Sequence, residues 1–348
     1  MARLIFVTGT SSSVAEGSGT WVGISVLRDA IVALGHEVTI LSRPPNVSRL
    51  GFNIRIRKEL RSLQSDAVVG FDLDGVFAPR GGPPHVAAIK GVIADEARHE
   101  RGLNRIALTI EAILERRHVR RADRVITSSD YSAGQIVKFY GIDRENIAVV
   151  PEPIDLNAWQ RALSDAPREE GPPRILTVAH LYPRKGVDTL LRAFANISTD
   201  ATLRIVGTGP ERPRLEHLAQ TLHLTACTHF LGHLPFAALA AEYHNATLFA
   251  LPTEQEGFGI VFLEAMASGL PIIATRVAAV PEVVADGLLV DPGDELALTQ
   301  SIDRLLDDVN LRATLGNAGR ERVKQFAADV VARQFLEAIG ISSSSHPS

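Results

Sequence analysis

The fold is decided by the stretch Leu248-Phe-Ala-Leu-Pro-Thr-Glu-Gln-Glu-Gly-Phe-Gly-Ile-Val-Phe-Leu-Glu-Ala-Met-Ala-Ser-Gly-Leu-Pro-Ile-Ile-Ala-Thr275. Its apolar ends, 248–251 and 272–275, predict two buried strands, and the residues between them predict a helix. The window 257–275 carries a single charge, Glu264. Gly269 and Pro271 interrupt that window, which favours loop, helix, turn and strand over a membrane span. A strand, a crossover helix and a second strand form the repeating unit of a parallel α/β sheet.

The same alternation extends in both directions from this stretch. In the second half, further strands are predicted at 175–179, 203–206 and 229–231, with helical segments between them. The first half predicts strands at 4–8, 38–41, 67–71, 86–89, 124–127 and 147–150, and helices over about 20–34 and 103–121. Charge, proline and glycine gather at 159–173 and predict a linker. We therefore predict an α/β protein with two doubly wound Rossmann-like domains facing each other across a cleft.

Length and composition exclude several classes of protein. The chain has 348 residues, which favours two domains, and its net charge of -4 gives no electrostatic reason to bind nucleic acid. Cys227 is the only cysteine, so disulfides, Cys-based zinc sites and dithiol redox motifs are excluded. The first residues lack a secretory signal. These features favour a cytoplasmic protein.

Two carboxylates flank a helix start that is suited to an anion. Gly257 and Gly259 follow a predicted strand and open a helix, so amide hydrogens and the positive end of the helix dipole face the carboxyl edge of the sheet. Glu256 and Glu264 would repel a phosphate there, so sugar and ribose hydroxyls are their sensible partners. The alternative is that both are solvated surface acids.

Two further loops come to the same sheet edge. Arg184 and Lys185 precede a predicted helix, and they would neutralise a diphosphate, although such a turn can also be a solvated loop. Gly207 and Gly209 form a glycine turn after the next predicted strand. Three glycine or lysine loops at one edge favour a nucleotide site.

Competing motifs are weaker. Asp72-Leu-Asp74 resembles a metal-binding Asp-x-Asp motif, but an acceptor contact or a helix cap is the preferred interpretation, and no metal site is predicted. Gly17-Ser-Gly19 lacks the G-x-G-x-x-G spacing of a dinucleotide site, which argues against an oxidoreductase. The basic residues of 98–124 and 49–61 form either a solvated helix face or a surface that attracts anionic lipid or an anionic acceptor.

The stretch from Glu256 to Glu264, continuing to Pro271, resembles the signature of retaining glycosyltransferases of family 4. The resemblance extends through Leu181-Tyr-Pro-Arg-Lys-Gly, Val206-Gly-Thr-Gly-Pro-Glu, Val280-Pro-Glu-Val-Val, Leu289-Val-Asp-Pro-Gly-Asp, Gly35-His-Glu-Val and Val149-Val-Pro-Glu-Pro-Ile-Asp. It implies the GT-B fold: an acceptor-binding domain over 1–158, the linker at 159–173, and a nucleotide-sugar-binding domain over 174–325. A C-terminal helix over 326–341 could then pack back on the first domain, before a disordered tail at 342–348.

The resemblance also implies roles for individual residues. Glu264 would hold the ribose, Glu256 the donor sugar and Lys185 the diphosphate, while the amides of Phe258, Ile260 and Val261 would meet sugar and phosphate. The implied donor site is completed by Gly19, His180, Arg184, Gly207, Gly209, Leu231, Gly257 and Gly259. Glu256, Lys185 and Lys90 are the expected catalytic residues, and Asp72, Asp74 and Lys90 the expected acceptor contacts.

Three positions depart from the family pattern. His180 stands where the family usually has arginine, Lys90 where it usually has histidine, and Pro151-Glu-Pro153 replaces the usual Pro-Asn-Gly turn. A lysine at position 90 is suited to stabilising the departing phosphate or an anionic acceptor, but not to acting as a base.

The expected protein is a metal-independent retaining glycosyltransferase without a cofactor. It would use a UDP, GDP or ADP sugar and a glycan, lipid-linked or small-molecule acceptor, with peripheral contact to the inner membrane face. The alternative is a catalytically silent nucleotide-sugar-binding protein of the same fold.

Overall fold

The computed structural model describes residues 1–10, 19–100 and 102–341. The chain divides into two compact units: Met1–Pro153 together with Phe326–Ser348, and Ile154–Gln325. The predicted tail at 342–348 and Gly17 lie outside the described residues. Among those described, no helix combines the length and apolar character needed to span a membrane.

The first unit begins with alternating strands and helices. Their bounds are β1 (Arg3–Thr8), α1 (Gly19–Ala33), β2 (Glu37–Ser42), α2 (Arg49–Ser62), β3 (Ala67–Phe71), β4 (His85–Ile89), α3 (Ile93–Glu96), α4 (Gly102–Val119), β5 (Arg124–Thr127), α5 (Asp130–Tyr140) and β6 (Ile147–Val149). Within the described residues these strands form one parallel sheet in the order β2-β1-β3-β4-β5-β6. Every residue of β3 and β4 is buried, as expected for strands covered on both faces.

The second unit repeats this plan. Its elements are α6 (Leu156–Asp165), β7 (Arg174–Val178), α7 (Val187–Phe194), β8 (Thr202–Val206), α8 (Arg212–Thr221), β9 (Thr228–Gly232), α9 (Phe236–Asn245), β10 (Leu248–Leu251), α10 (Ile260–Ser268), β11 (Ile272–Thr275), α11 (Val280–Val283), β12 (Leu288–Val290), α12 (Glu295–Asp307) and α13 (Val309–Arg322). The parallel strand order is β12-β11-β10-β7-β8-β9. The predicted α/β fold class with two doubly wound domains is confirmed.

The strand order places a topological switch in each sheet. In the first sheet, β1 lies between β2 on one side and β3 on the other, so the chain changes direction across the sheet after β2. In the second sheet, β7 lies between β8 and β10, and the chain changes direction after β9. In sheets of this kind the crevice outside the carboxyl ends of those two strands is where ligands bind. The switch points are therefore at residues after β1 and β3 in the first unit, and after β7 and β10 in the second.

Helix α6 changes the interpretation of the predicted linker at 159–173. Asp155 caps this helix by accepting a hydrogen bond from the Ala158 amide, 2.9 Å away. Trp159 is 2% exposed and its indole donates a 3.0 Å hydrogen bond to Ser268. Residues up to Asp165 are thus a packed helix of the second unit, because one buried tryptophan outweighs the polar composition around it.

The C-terminal helix predicted over 326–341 is present but shorter, and it is separate from the helix before it. Helix α13 ends at Arg322, a 3-10 turn follows, and Ala327 is extended before the last helix, α14 (Ala328–Ala338). Helix α14 belongs to the first unit, where Phe335 meets Phe6 and the helix packs with α1. The sequence gives little sign of the break between the two helices, because Ala327 itself is a good helix former.

Candidate active site

The loops that follow β7 and β10 are in direct contact at the switch point of the second sheet. The Arg184 carbonyl accepts hydrogen bonds from the Glu254 amide at 2.7 Å and the Thr253 hydroxyl at 3.0 Å. Gly186 has a φ of +66°, and a Cβ built on it would lie 2.0 Å from the Pro252 carbonyl oxygen. Only glycine fits this close approach, so residue 186 fixes the spacing of the two loops.

This contact brings Lys185 and Glu256 together. The Lys185 ammonium lies 2.6 Å from a Glu256 carboxylate oxygen, and both side chains are about one-seventh exposed, at 14% and 15%. Partial burial strengthens such an ion pair relative to one in open solvent. Two of the three predicted catalytic residues are therefore neighbours at the edge where ligands enter this fold.

The N-terminus of α10 lies directly after Glu256. Gly259 precedes the helix with a φ of +90°, and no side chain caps the first turn. The amides at the start of a helix have no partner within the helix, so those of Ile260 and Val261 are suited to bind an anion. Phe258 is buried, whereas Gly257 and Gly259 are half-buried. The predicted glycine turn is therefore a helix start that directly follows the partner of Lys185, and its role in phosphate binding stays a prediction.

Glu264 lies on α10 and is held by a buried tyrosine. The Tyr243 hydroxyl donates a 2.9 Å hydrogen bond to the Glu264 carboxylate. Burial raises the pKa of Glu264 to about 7, and the hydrogen bond from Tyr243 acts in the opposite direction. Burial and the neighbouring carboxylate together raise the pKa of Tyr243 well above its ordinary value, so this hydroxyl keeps its proton. Glu264 can thus accept hydrogen bonds in a fixed orientation.

The glycine turn after β8 packs on the loop after β7. A Cβ on Gly207 would lie 1.9 Å from the Ala179 carbonyl oxygen, and one on Gly209 would lie 2.4 Å from that of Leu181. Because neither glycine has a side chain, the turn after β8 can approach the backbone of the loop after β7 closely. Leu231 lies near the end of β9, half-buried, while His180 is exposed and Arg184 lies against the Tyr182 ring. Gly207 and Gly209 therefore support the loop that carries Lys185.

In the first unit, Lys90 follows β4 and pairs with Glu152. Their ammonium and carboxylate atoms are 2.7 Å apart, with the side chains 14% and 6% exposed. The Lys90 ammonium also lies 5.5 Å from the centre of the Phe71 ring. Asp72 accepts a 2.9 Å hydrogen bond from the Lys90 amide, and burial raises the pKa of Asp72 to about 6. Lys90 and Asp72, both predicted acceptor contacts, are thus adjacent.

Asp74 requires a correction. Its side chain is fully buried and accepts hydrogen bonds from the Gly9 amide at 2.6 Å, the Asn53 amide group at 2.8 Å and the Arg49 guanidinium at 2.9 Å. With these partners it joins the carboxyl ends of β1 and β3 to α2. Asp74 is therefore a positioning residue rather than a contact for an acceptor.

One predicted donor-site residue, Gly19, lies in the first unit. Gly19 is the exposed first residue of α1. Within the described residues, no group of three or more His, Cys, Asp or Glu side chains is arranged to hold a metal ion.

Comparison with family models covers most of the chain. A model described as Glycosyltransferase Family 4 matches residues 17–158, and one described as Glycosyl transferases group 1 matches residues 160–322. The chain belongs to glycosyltransferase family 4. This agrees with the resemblance carried by the stretch from Glu256 to Pro271.

Curated relatives of this family-4 chain include glycosyltransferases from Corynebacterium and Mycolicibacterium species. D-inositol 3-phosphate glycosyltransferase of Corynebacterium urealyticum is 31% identical over an alignment of 276 residues, which covers 73% of this chain and 64% of the relative. A GDP-mannose-dependent alpha-(1-6)-phosphatidylinositol monomannoside mannosyltransferase of Mycolicibacterium smegmatis is 28% identical, covering 82% of this chain and 77% of the relative. The chain spans 64%, 54% and 56% of the length of the first three relatives.

Solved structures share the GT-B fold. Sucrose-phosphate synthase from Thermosynechococcus elongatus superposes with a TM-score of 0.81 at 23% identity, covering 97% of this chain and 98% of that one. HepE from Anabaena, solved with UDP-glucose, gives a TM-score of 0.78 at 17% identity, covering 97% and 99%. At these identities the likeness establishes the fold alone.

Sequence reasoning missed Glu152, Tyr243 and Thr253. Glu152 was visible as a departure within Pro151-Glu-Pro153, but nothing in the sequence paired it with Lys90, which is 62 residues away. Tyr243 lies in the last turn of α9 with no motif around it. Thr253 is part of the quoted stretch, yet its hydroxyl role depends on the loop contact with Arg184. These residues orient the candidate side chains, and a fold is needed to find them.

The loop contact predicts a specific cost for Gly186→Ala. Gly293 has a similar φ of +74° but nothing within 4 Å of an added Cβ, so Gly293→Ala is a matched control for backbone strain alone. We expect the control to lose about 1–2 kcal/mol of unfolding free energy. Gly186→Ala should lose clearly more, because its methyl group would collide with the Pro252 carbonyl. Equal losses in chemical denaturation would show that the loops are not in close contact.

The raised pKa of Glu264 predicts how stability changes with pH. The folded value of about 7 exceeds the ordinary 4.5, so the protonated carboxyl stabilises the fold below about pH 4.5, and that contribution is lost as the pH rises to 7. Glu264→Gln should remove this loss, so its advantage in unfolding free energy over the wild type should grow across that window. Tyr243→Phe should move the end of the window to higher pH, because it removes a hydrogen bond that favours the ionised form. A pH-independent difference between Glu264→Gln and wild type would contradict this assignment.

Proposed function

We propose that this protein is a retaining glycosyltransferase that moves a sugar from a nucleotide-diphosphate sugar to an acceptor hydroxyl without a bound metal ion. The observation that carries the proposal is the Lys185–Glu256 pair beside the open N-terminus of α10 at the switch point of the second sheet. The names of the relatives support it: one uses GDP-mannose, and HepE was solved with UDP-glucose.

The positive groups at this edge would neutralise the leaving diphosphate. Lys185 supplies an ammonium, Arg184 a guanidinium from the preceding position, and α10 its amide hydrogens and dipole. Fixed charges aimed at a leaving group stabilise the transition state more than the bound substrate when the charge grows during bond cleavage. When the donor binds, the Lys185 ammonium would share its hydrogen bonds between Glu256 and the phosphate.

The two carboxylates would bind the uncharged parts of the donor. Glu256, next to Lys185, would bind sugar hydroxyls, and Glu264, the fifth residue of α10, would bind ribose hydroxyls. Neither is assigned as a covalent nucleophile. In the proposed route the acceptor attacks the anomeric carbon on the face that the diphosphate leaves, and the departing phosphate oxygen takes the acceptor proton. Configuration is thereby retained.

The first unit would bind the acceptor through Lys90 and Asp72. A cationic side chain held at the end of β4 suits an acceptor that carries a negative charge near its reacting hydroxyl. Asp72, whose carboxyl is half-buried next to Lys90, would receive a hydrogen bond from a hydroxyl of the acceptor. Glu152 acts through Lys90 and is a positioning residue.

The proposal is tested by a donor panel followed by a turnover assay. Thermal unfolding with UDP, GDP and ADP sugars identifies the nucleotide, since a ligand at 100 times its Kd stabilises the fold by about 2.7 kcal/mol. Release of nucleoside diphosphate is then measured with candidate acceptors, with and without excess EDTA. We expect turnover that EDTA leaves intact. Binding without turnover would favour a silent nucleotide-sugar-binding protein, and activity restored by magnesium after chelation would overturn the metal-independent route.

Removing either member of the Lys185–Glu256 pair should lower activity in different ways. Lys185→Ala should cost roughly ten- to 150-fold in kcat/KM, the equivalent of one charged hydrogen bond of about 1.5–3 kcal/mol. Glu256→Gln should mainly lower kcat, since the lost charge contacts the reacting sugar. The exposed lysine variant Lys324→Ala, far along the chain from this loop, is the control. Wild-type kinetics in both variants would remove the pair from the site.

Lys90 and Glu152 should behave as a unit. Lys90→Ala should reduce turnover while leaving the donor Kd unchanged, and Lys90→Arg should retain part of the activity through its charge. Glu152→Gln should raise the KM for the acceptor, because it releases Lys90. In a double-mutant cycle the combined variant should be no worse than Lys90→Ala alone, since Glu152 acts only through the lysine. Additive effects would give Glu152 a separate role, and unchanged turnover in Lys90→Ala would exclude Lys90.

A further inference from the structure

Helix α4 has a row of large aliphatic side chains that face away from the protein. Leu103, Ile106, Ile110 and Ile113 are 83%, 59%, 58% and 64% exposed. Their spacing of three, four and three residues places them along one side of the helix. The other side already packs on the first unit through Ala112, Glu115, His118 and Val119, all of which are buried. The row is therefore additional to the apolar face that holds α4 in place.

A cluster of arginines lies where this row ends. Arg117 follows Ile113 by one helical turn, so it continues the same side of α4. The Arg117 guanidinium lies 5.8 Å from the centre of the Phe77 ring, and Arg121 donates a 3.3 Å hydrogen bond to the Ala78 carbonyl, so both meet the segment after β3 that carries Arg80. In agreement with this grouping, the pKa of Arg121 is lowered, first by its partial burial and then by the positive charges of Arg80, Arg117 and Arg57. In the described residues, none of these four arginines forms a salt bridge.

The two features together have a specific chemical complement. An aliphatic row exposed to water loses the stabilisation that burial would provide, and arginines that have no carboxylate partner among the described residues repel one another. A second copy of the chain would cover the row but would add its own arginines to the same interface. An anionic lipid surface accepts aliphatic side chains between its headgroups and neutralises the arginines at once.

We propose that the exposed side of α4, with Arg57, Arg80, Arg117 and Arg121, docks on an anionic lipid bilayer. The helix lies in the plane of the surface, with Leu103, Ile106, Ile110 and Ile113 inserted at the level of the headgroups. This inference does not depend on the proposed transfer reaction, because lipid binding requires neither donor nor acceptor.

Vesicle flotation of the full chain tests the docking surface. Vesicles of phosphatidylcholine alone are compared with vesicles that also contain phosphatidylglycerol, at low and high salt. We expect binding only to the anionic vesicles, and weaker binding at high salt because the Debye length shortens. The absence of binding to anionic vesicles, or equal binding to both compositions, would overturn the proposal.

Two sets of variants separate the aliphatic and basic contributions. Leu103→Ser, Ile106→Ser, Ile110→Ser and Ile113→Ser combined should lower vesicle affinity at least tenfold; the matched control is Leu296→Ser with Val309→Ser, two exposed aliphatic side chains of the second unit. Arg57→Gln, Arg80→Gln and Arg117→Gln should each weaken binding about fivefold; exposed Arg333→Gln is their control.

The outcome is judged against folding and self-association. All of the substituted side chains are exposed, and unfolding midpoints are measured to confirm that each variant folds. Loss of binding in both sets, with the controls unchanged, supports the docking surface. Wild-type binding in the serine variant would overturn it. Dimerisation of the wild type that the serine substitutions abolish, without vesicle binding, would instead assign α4 to a second copy of the chain.

Discussion

The candidate donor site depends on one steric constraint, the approach of the Gly186 backbone to the carbonyl of Pro252. A side chain of any size at position 186 would occupy the space of that carbonyl oxygen. Because the two loops are pinned there, the residues on either side are brought together: Lys185 on one loop and Glu256 on the other. Strand order makes the contact possible, since β7 and β10 are neighbours although they are separated by two other strands in the chain. The chemistry of the site thus follows from sheet topology and one missing Cβ atom.

In the first unit, a buried carboxylate rather than a missing side chain holds the ends of two neighbouring strands together. There the carboxyl ends of β1 and β3 are joined by the buried carboxylate of Asp74, which accepts hydrogen bonds from the Gly9 amide and from Arg49 and Asn53 of α2. A buried carboxylate without such partners would be expensive to keep ionised. Asp74 therefore stabilises the arrangement only while all three donors are present. Its rigidity fixes the start of the turn on which Asp72 faces the amide of Lys90.

The sequence predicted strands well and orienting contacts poorly. Strands at 67–71, 124–127, 248–251 and 272–275 have the predicted bounds, because buried parallel strands are short apolar runs between glycine, proline and polar residues. Helix α2 was indicated only as a possible solvated helix face at 49–61 and was given no bounds, since its surface is rich in arginine and lysine and only four of its residues are buried. Lys185, Glu256 and Glu264 were found through a motif. Their partners were not, because Tyr243 and Glu152 act across distances in the chain that only the fold closes.

Both candidate lysines are paired with a glutamate, and this shapes how an anion would bind. Lys185 and Lys90 are each less than one-sixth exposed, so an ammonium without a partner would pay a desolvation penalty. The glutamate offsets that penalty and holds the side chain in one orientation. An incoming phosphate or acidic acceptor must then compete with a carboxylate that is already 2.6–2.7 Å away. A diphosphate, with more charge and several oxygens, competes for the ammonium better than a monoanion does. Under the proposed function, the paired arrangement would therefore favour a diphosphate over the many monoanions in solution.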